Sequence, residues 1–381
     1  MTRLIAGVVF FIGATSLFAC SYCDPGSLKI STLRQEGRSA KLIAVVRPSN
    51  PRLVGEQGVT DLVVERLLKN SSGQADPKML SLNRWMPVDP KKPTKLLVFV
   101  DAAPKFDPYR GIPLKGAGVG DYLQQAMKLD DQDRTACLTF YFTHLDDADP
   151  DVAADAFLEF AKASDREIAD VCRRLDPKKL RKLVTDPKTP ADRLGLFGFL
   201  LGATGEAADA EVLAKMVREA DAATATALSG LLGGLIALDA KSGWATTVGL
   251  IADDKTPYQH KLAAMGTLRF FQACQAKAHR PYILAGMKAV VVRGDMADMA
   301  VEDLRRWGWW DLSETVLAQY GKPTHAAPLV KNAILRYAIT CRDEPSRELL
   351  RTARQTDAAL VGEIEESVSA ERSPPPTGPQ P

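Results

Sequence analysis

The acidic run Asp147-Ala148-Asp149-Pro150-Asp151 has the opening spacing of a calcium-binding loop. Carboxylates at alternate positions can converge on a hard cation, but such a loop then needs Gly for its sharp turn and a bidentate Glu at its twelfth position. This chain has Val152 and Leu158 there, so the run reads as an acidic interhelical turn whose Asp149 caps a helix. Lys115-Gly116-Ala117-Gly118-Val119-Gly120 is rich enough in Gly to offer backbone N–H groups to a phosphate, yet it lacks the Gly-Lys-Ser/Thr ending that would hold one. It reads as a joint between two domains. His144, His260, His279 and His325 are scattered, none three or four residues from another, so no helix offers zinc a His pair. Cys20-x-x-Cys23 is half a zinc site without a second half, and no Gly-x-Ser-x-Gly elbow is present. The expectation is no catalytic residue, no metal and no cofactor.

Two segments remain as interaction candidates. Arg305-Arg306-Trp307-Gly308-Trp309-Trp310 places three of the five Trp within four positions, and Trp and Arg are enriched at binding hot spots. The alternative is that Trp307 and Trp310 fill a groove between helices. Phe106-Asp107-Pro108-Tyr109-Arg110-Gly111-Ile112-Pro113 presents Tyr109 and Arg110 on a rigid, turn-rich stretch, either as a contact surface or as a structural hinge.

The elements that carry these segments change character near residue 113. From Leu28 to about Val100 the pattern alternates as strands do. Five are predicted: Leu28–Leu33, a run from Lys41 to Val46 that stops before Pro48, Val59–Leu67, Met79–Leu82 and Leu96–Val100. Five short strands suit a small closed barrel, because closure removes exposed edges. From Val119 the apolar residues recur at three- and four-residue steps, predicting helices over Asp121–Leu129, Arg134–His144, Val152–Lys162 and Glu167–Leu175. Ser164 and Glu167 form a capping box, and Asp149-Pro150 supplies a cap followed by a Pro at the first helical position.

Farther on, Asp186-Pro187-Lys188-Thr189-Pro190, Asp253-Asp254-Lys255-Thr256-Pro257 and Tyr320-Gly321-Lys322-Pro323-Thr324 each open a helix, the second with Gln259 completing a capping box. Lys188, Lys255 and Lys322 stand at equal steps of about 67 residues, or two units of roughly 33. With small residues such as Gly195, Gly198 and Ala264 inside the helices, this region resembles HEAT and armadillo-like repeat proteins. The resemblance implies paired helices stacked into an α-α superhelix.

The front part is similar to the netrin-type OB domain of the tissue inhibitors of metalloproteinases. The similarity rests on the cluster Cys20-Ser21-Tyr22-Cys23, the strand Leu42–Val46 and the late Lys95-Leu96-Leu97-Val98-Phe99. That family has Cys-x-Cys where this chain has Cys-x-x-Cys, and its further half-cystines are missing here. The implied fold is thus α+β and mostly α: a five-stranded OB-like β-barrel followed by a HEAT-like solenoid.

Arg3 and the uncharged, apolar Leu4–Ala19 make a signal segment, too short for a membrane span of about 20 apolar residues. Leu17-Phe18-Ala19-Cys20 resembles the bacterial lipobox, which implies lipidation of Cys20; plain secretion, with Cys20 free or disulfide-bonded, is the alternative. The organisation read from the chain is a signal peptide over 1–19, the β domain over 20–112, helical repeats over 113–372 and a Pro-rich tail over 373–381. Cys137, Cys172, Cys274 and Cys341 fall in helical patterns and read as small buried hydrophobes, with a Cys137–Cys172 bridge as an alternative. The chain has 49 basic and 47 acidic residues among 381, a balance that argues against nucleic acid as a partner.

The function expected is a non-catalytic binding or scaffold protein of the cell envelope (outer membrane or surface), or secreted. It would use the concave solenoid face for a protein or peptide and touch membrane only through a lipid on Cys20. The alternatives are a hydrolase with an acidic groove in the helical domain, and protease inhibition by the front domain, which needs a free Cys20 amine.

Overall fold

A computed structural model describes residues 30–372 apart from Pro90, Lys92, Pro93 and Ala103. The signal segment, Cys20, Cys23 and the Pro-rich tail lie outside the described residues. The chain divides into two compact units at Lys179/Leu180.

The first described element is a helix that begins at Leu33, the last residue of the predicted strand Leu28–Leu33. α1 spans Leu33–Ser39. The Thr32 hydroxyl accepts the Gln35 N–H at 3.2 Å, and Gln35 Oε1 accepts the Thr32 N–H at 3.1 Å. This reciprocal cap satisfies two donors that a strand would leave to a neighbour; Ile30–Thr32 form no strand, and Leu28 and Lys29 lie outside the described residues.

Five strands follow: β1 Leu42–Val54, β2 Gln57–Asn70, β3 Met79–Leu82, β4 Leu96–Asp101 and β5 Asp107–Pro113. They form one open antiparallel sheet in the order β3-β2-β1-β4-β5. β1 does not stop at Pro48: it runs on to Val54, with Pro48 opposite Leu62 and bulges on either side. The turn-rich stretch Phe106–Pro113 contains a strand, β5. Its Pro108 and Pro113, which lack N–H groups, are tolerated because β5 is an edge strand. Leu42, Ala44, Val46, Leu62, Leu80, Leu96, Val98 and Val100 pack together on one face. Ile43, Leu97 and Phe99, at the alternate positions, are also fully buried. Ile43 meets α1 at Gly37, where Leu123 and Met127 also converge. The central strands are therefore covered on both faces and read as continuous apolar runs.

The rest of the first unit is helical: α2 Val119–Ala126, α3 Arg134–Thr143, α4 Pro150–Ala161, α5 Asp165–Cys172 and the start of α6 Pro177–Thr185. The expected Ser164–Glu167 capping box forms, as does the Asp149 cap with Pro150 at the first helical position.

The second unit holds α7 Ala191–Thr204, α8 Ala207–Arg218, α9 Leu228–Leu238, α10 Ala240–Ala252, α11 Tyr258–Arg293, α12 Ala297–Trp307, α13 Ser313–Leu317, α14 Pro328–Cys341, α15 Glu344–Thr356 and α16 Ala358–Arg372. The most extensive contacts join helices one or two places apart in the chain: α7 with α8 and α9, α12 with α14, α14 with α15 and α16. α11 is two helices in one span, broken at Gln275 (φ −142°, ψ 36°). Leu268 and Gly286 abut across the break, so the halves double back on each other. His279 holds the break: Nε2 faces Gln275 Oε1 at 3.0 Å while Nδ1 accepts the Trp244 indole N–H at 3.1 Å.

Two of the three turns that stand about 67 residues apart are built alike. Asp186 Oδ1 accepts the Lys188 N–H and Asp253 Oδ1 accepts the Lys255 N–H, both at 2.9 Å, and each turn leads through Pro into a helix. The expected Thr256–Gln259 capping box does not form, because Pro257 itself stands at the cap and its carbonyl accepts the His260 and Lys261 N–H groups. The third turn has Tyr320 in place of Asp and leads into a single 3₁₀ turn, Pro323–His325, before α14.

α7 and α9 touch backbone to backbone. A Cβ on Gly230 would overlap the Gly195 carbonyl, and one on Gly234 would overlap that of Gly198. Glycine is required at these positions by the closeness of the approach, and Leu231, Leu232, Leu235 and Ile236 are buried around it.

Candidate functional site: a cavity beside the sheet edges

β3 and β5 are the two edges of the sheet. Each strand is antiparallel to its neighbour, so these edges run in the same direction. A cavity of about 280 Å³ is lined by residues of both. Its apolar lining is Leu62 from β2, Leu96 and Val98 from β4, and Leu82 and Met86 at and after β3. Sheet register explains the space. Gly111 of β5 stands opposite Val98, and a Cβ there would point at Val98 and Leu96 from 3.7 and 3.8 Å. The missing side chain leaves the room.

The rim is polar. Thr60 pins one side: its hydroxyl donates to the Arg84 carbonyl at 2.8 Å and accepts the Met86 N–H at 3.0 Å. Trp85 lies over Gly58, where any Cβ would overlap it. These contacts set Asn83 and Arg84 at the cavity, with Asp107 and Tyr109 also lining it. Arg110, which also lines the cavity, pairs with Glu36 of α1 at 2.5 Å. The Tyr109 hydroxyl lies 3.5 Å from the same carboxylate, and burial together with Glu36 raises the phenol above its ordinary range. Of the residues singled out from sequence, Tyr109 and Arg110 therefore sit at this cavity.

The tryptophan segment belongs to the other unit. α12 ends at Trp307 because Gly308 takes a left-handed conformation (φ 66°). Trp307 and Trp310 therefore do not share a helical face, and it is Trp309 that is buried. Trp307 packs edge-on against Trp309, and Trp310 against Tyr337. The Arg280 guanidinium lies 4.1 Å from the centre of the Trp309 ring. Arg305 is bidentate on Glu302 and also reaches Glu371, and Arg306 pairs with Glu302 as well. These five residues knit α12 to α16 and to Arg280.

The two suspected ion-binding loops meet each other. Asp149 Oδ2 accepts the Gly118 N–H at 3.0 Å and Asp151 Oδ2 accepts the Lys115 N–H at 3.0 Å. The Gly-rich amides are thus taken up by carboxylates of the acidic turn. A side chain on Gly116 would overlap Asp149. Among the described residues no group of three or more His, Cys, Asp or Glu could hold a metal, and no helix is long and apolar enough to cross a membrane.

Cys137 and Cys172 are both buried and unbridged. Burial pushes the Cys172 thiol up to about 12. Cys274, expected in a core, is exposed, and Cys341 is half-buried.

A buried polar cluster escaped the sequence reading. Asp155 of α4 accepts the Leu33 N–H at 2.7 Å and the Tyr122 hydroxyl at 2.8 Å. Arg34, also buried, donates to the Leu129 carbonyl and pairs with Asp131. Only tertiary packing brings these groups together, though Tyr122 and Asp155 stand one 33-residue unit apart.

Comparison with family models, with curated proteins and with solved structures finds no match for this chain.

Proposed function

We propose that the chain is an exported, non-catalytic protein that binds extended peptide segments of a partner, held at the cell envelope by a lipid on Cys20 where that residue is processed. The carrying observation is a contrast. Several carboxylates of the helical part are each held by an arginine: Asp209 by Arg181, Asp303 by Arg269, Glu302 by Arg305, Glu167 by Arg134. At the cavity, Asn83, Arg84 and Asp107 line an apolar space, and none of their side chains has a hydrogen-bond or ion-pair partner among the described residues.

The OB-like reading of the front part draws support from the strand order. Were β3 and β5 to pair, the sheet would close as a five-stranded barrel with those two strands parallel. The HEAT-like superhelix draws support from the spacing of bonds between elements. Arg181–Asp209, Arg280–Asp311, Lys261–Asp295 and Trp244–His279 join residues 28, 31, 34 and 35 apart. A stack of similar units contacts its neighbours at one repeat length.

The test is fluorescence polarisation of the mature protein with a random set of labelled hexapeptides, beside a panel of hydrolase substrates and metal analysis. Saturable peptide binding that Gly111→Val weakens supports the reading. Turnover of any substrate, or a stoichiometric metal, sinks it.

A further inference from the structure

We infer that the cavity beside β3 and β5 captures the C-terminal residue of a partner chain, an aliphatic one, with its α-carboxylate on Arg84. The inference rests on the peptide-binding reading above and narrows it to one chemistry.

Arg84 is the first reason. Between residues 30 and 113 the other arginines each have a carboxylate: Arg34 and Arg38 share Asp131, Arg47 has Glu65, Arg52 has Asp61, Arg66 has Asp121 and Arg110 has Glu36. Arg84 has none among the described residues, and it lines the cavity. A guanidinium matches a carboxylate in a planar, two-bonded fork.

Size is the second. The space of about 280 Å³ falls below the roughly 300–1,000 Å³ of sites that enclose a drug-sized molecule. It suits one or two apolar side chains, and its lining of Leu62, Leu96 and Val98 is aliphatic. Proximity is the third. Arg84 and that lining share one small cavity, so the anion and the apolar group must sit within about one residue of each other. A C-terminal Leu, Val or Ile carries both on a single Cα; an internal acidic residue does not. Asp107, also lining the cavity, repels a second acidic group and disfavours acidic sequences generally. Capture of a chain end is an established mode of peptide recognition.

The experiment uses the mature full-length chain and four probes: a labelled hexapeptide ending in Leu as free acid, its C-terminal amide, an isomer with the Leu internal, and decanoate as competitor. The acid is expected to bind about tenfold more tightly than the amide. Arg84→Gln should bring the acid down to the amide level. Gly111→Val adds a side chain whose Cβ stands at ordinary contact distance from Val98 and Leu96. It should weaken acid and amide alike by about tenfold while the thermal midpoint and circular dichroism stay unchanged. Equal binding of acid, amide and internal-Leu isomer, all weakened by Gly111→Val, overturns this inference and leaves peptide binding standing. Displacement of the peptide by decanoate at lower concentration than by unlabelled peptide also overturns it, in favour of a fatty-acid site. Failure of every peptide to bind overturns both.

Discussion

Asp155 reaches back over 122 residues of chain to accept the N–H of Leu33 at 2.7 Å. That N–H belongs to the first turn of α1, where a helix leaves its donors without partners. The carboxylate therefore caps from outside the helix it caps, and ties the segment ahead of the sheet to α4.

Asp155→Ala leaves the Leu33 N–H and the Tyr122 hydroxyl buried without an acceptor. Each such loss costs about 1–3 kcal/mol. The variant is expected to unfold in urea at a clearly lower midpoint with an unchanged slope. Asp155→Asn, which keeps one acceptor oxygen, should lose less. A midpoint equal to that of the parent protein would deny the bond any structural weight.

The same residue sets a pH dependence. Burial raises the Asp155 carboxyl from 3.8 to about 6, with Glu159 adding to the rise and the bonds from Leu33 and Tyr122 opposing it. The folded state thus holds this proton more tightly than the unfolded chain does. The stability it contributes is fully present below about pH 4 and is lost as pH rises through 6, by up to about 3 kcal/mol. Asp209 runs the other way: the Arg181 bond holds it below the carboxylate range, so its contribution falls only in stronger acid. Urea midpoints from pH 4.5 to 7.5 should fall across the parent protein and flatten in Asp155→Asn.

Two glycine substitutions should differ in sign. Gly234→Ala puts a methyl into the Gly198 carbonyl and must part α7 from α9; a loss of about 2 kcal/mol or more is expected, as for other overpacked cores. Gly249→Ala, in α10, meets nothing within 4 Å and should gain about 0.5–1 kcal/mol from helix propensity. Thermal midpoints of the two variants check this directly, and equal shifts would contradict the backbone contact.

The acidic turn should ignore calcium. Its Asp149 and Asp151 are engaged on Gly118 and Lys115, so neither EDTA nor millimolar calcium should move the thermal midpoint. Asp149→Ala should lower it, by about 0.5–2 kcal/mol as for other lost caps. A calcium-dependent rise in the midpoint would reinstate the turn as an ion site.

Local signals carried the helical part of the fold. Ser164 with Glu167, Asp149 with Pro150, and the matching turns at Lys188 and Lys255 mark helix starts, and the helices begin there. Misreadings arose where two local signals competed. Leu28–Leu33 alternates like a strand, but Thr32 caps a helix that starts at Leu33, with Gln35 completing the cap. Pro108 and Pro113 argue against a strand, yet an edge strand has no neighbour to miss their N–H groups. The cavity was legible only in part. Tyr109 and Arg110 stood out by type, whereas Asn83 and Arg84 are ordinary residues brought to the rim by the Thr60 hydroxyl. That two suspect loops would satisfy each other depends on the path between Gly118 and Asp149, which no periodicity encodes.

The bonds of the second unit, joining residues about thirty apart, also bear on order of assembly. A chain delivered N-terminus first can complete each layer as soon as the next helix emerges, because its partner is already waiting. α1 finds Ile43 and Lys69 soon after it in the chain. Its Leu33 N–H, however, lacks its acceptor until residue 155 has been delivered, so the start of α1 is completed by a residue that arrives long after it.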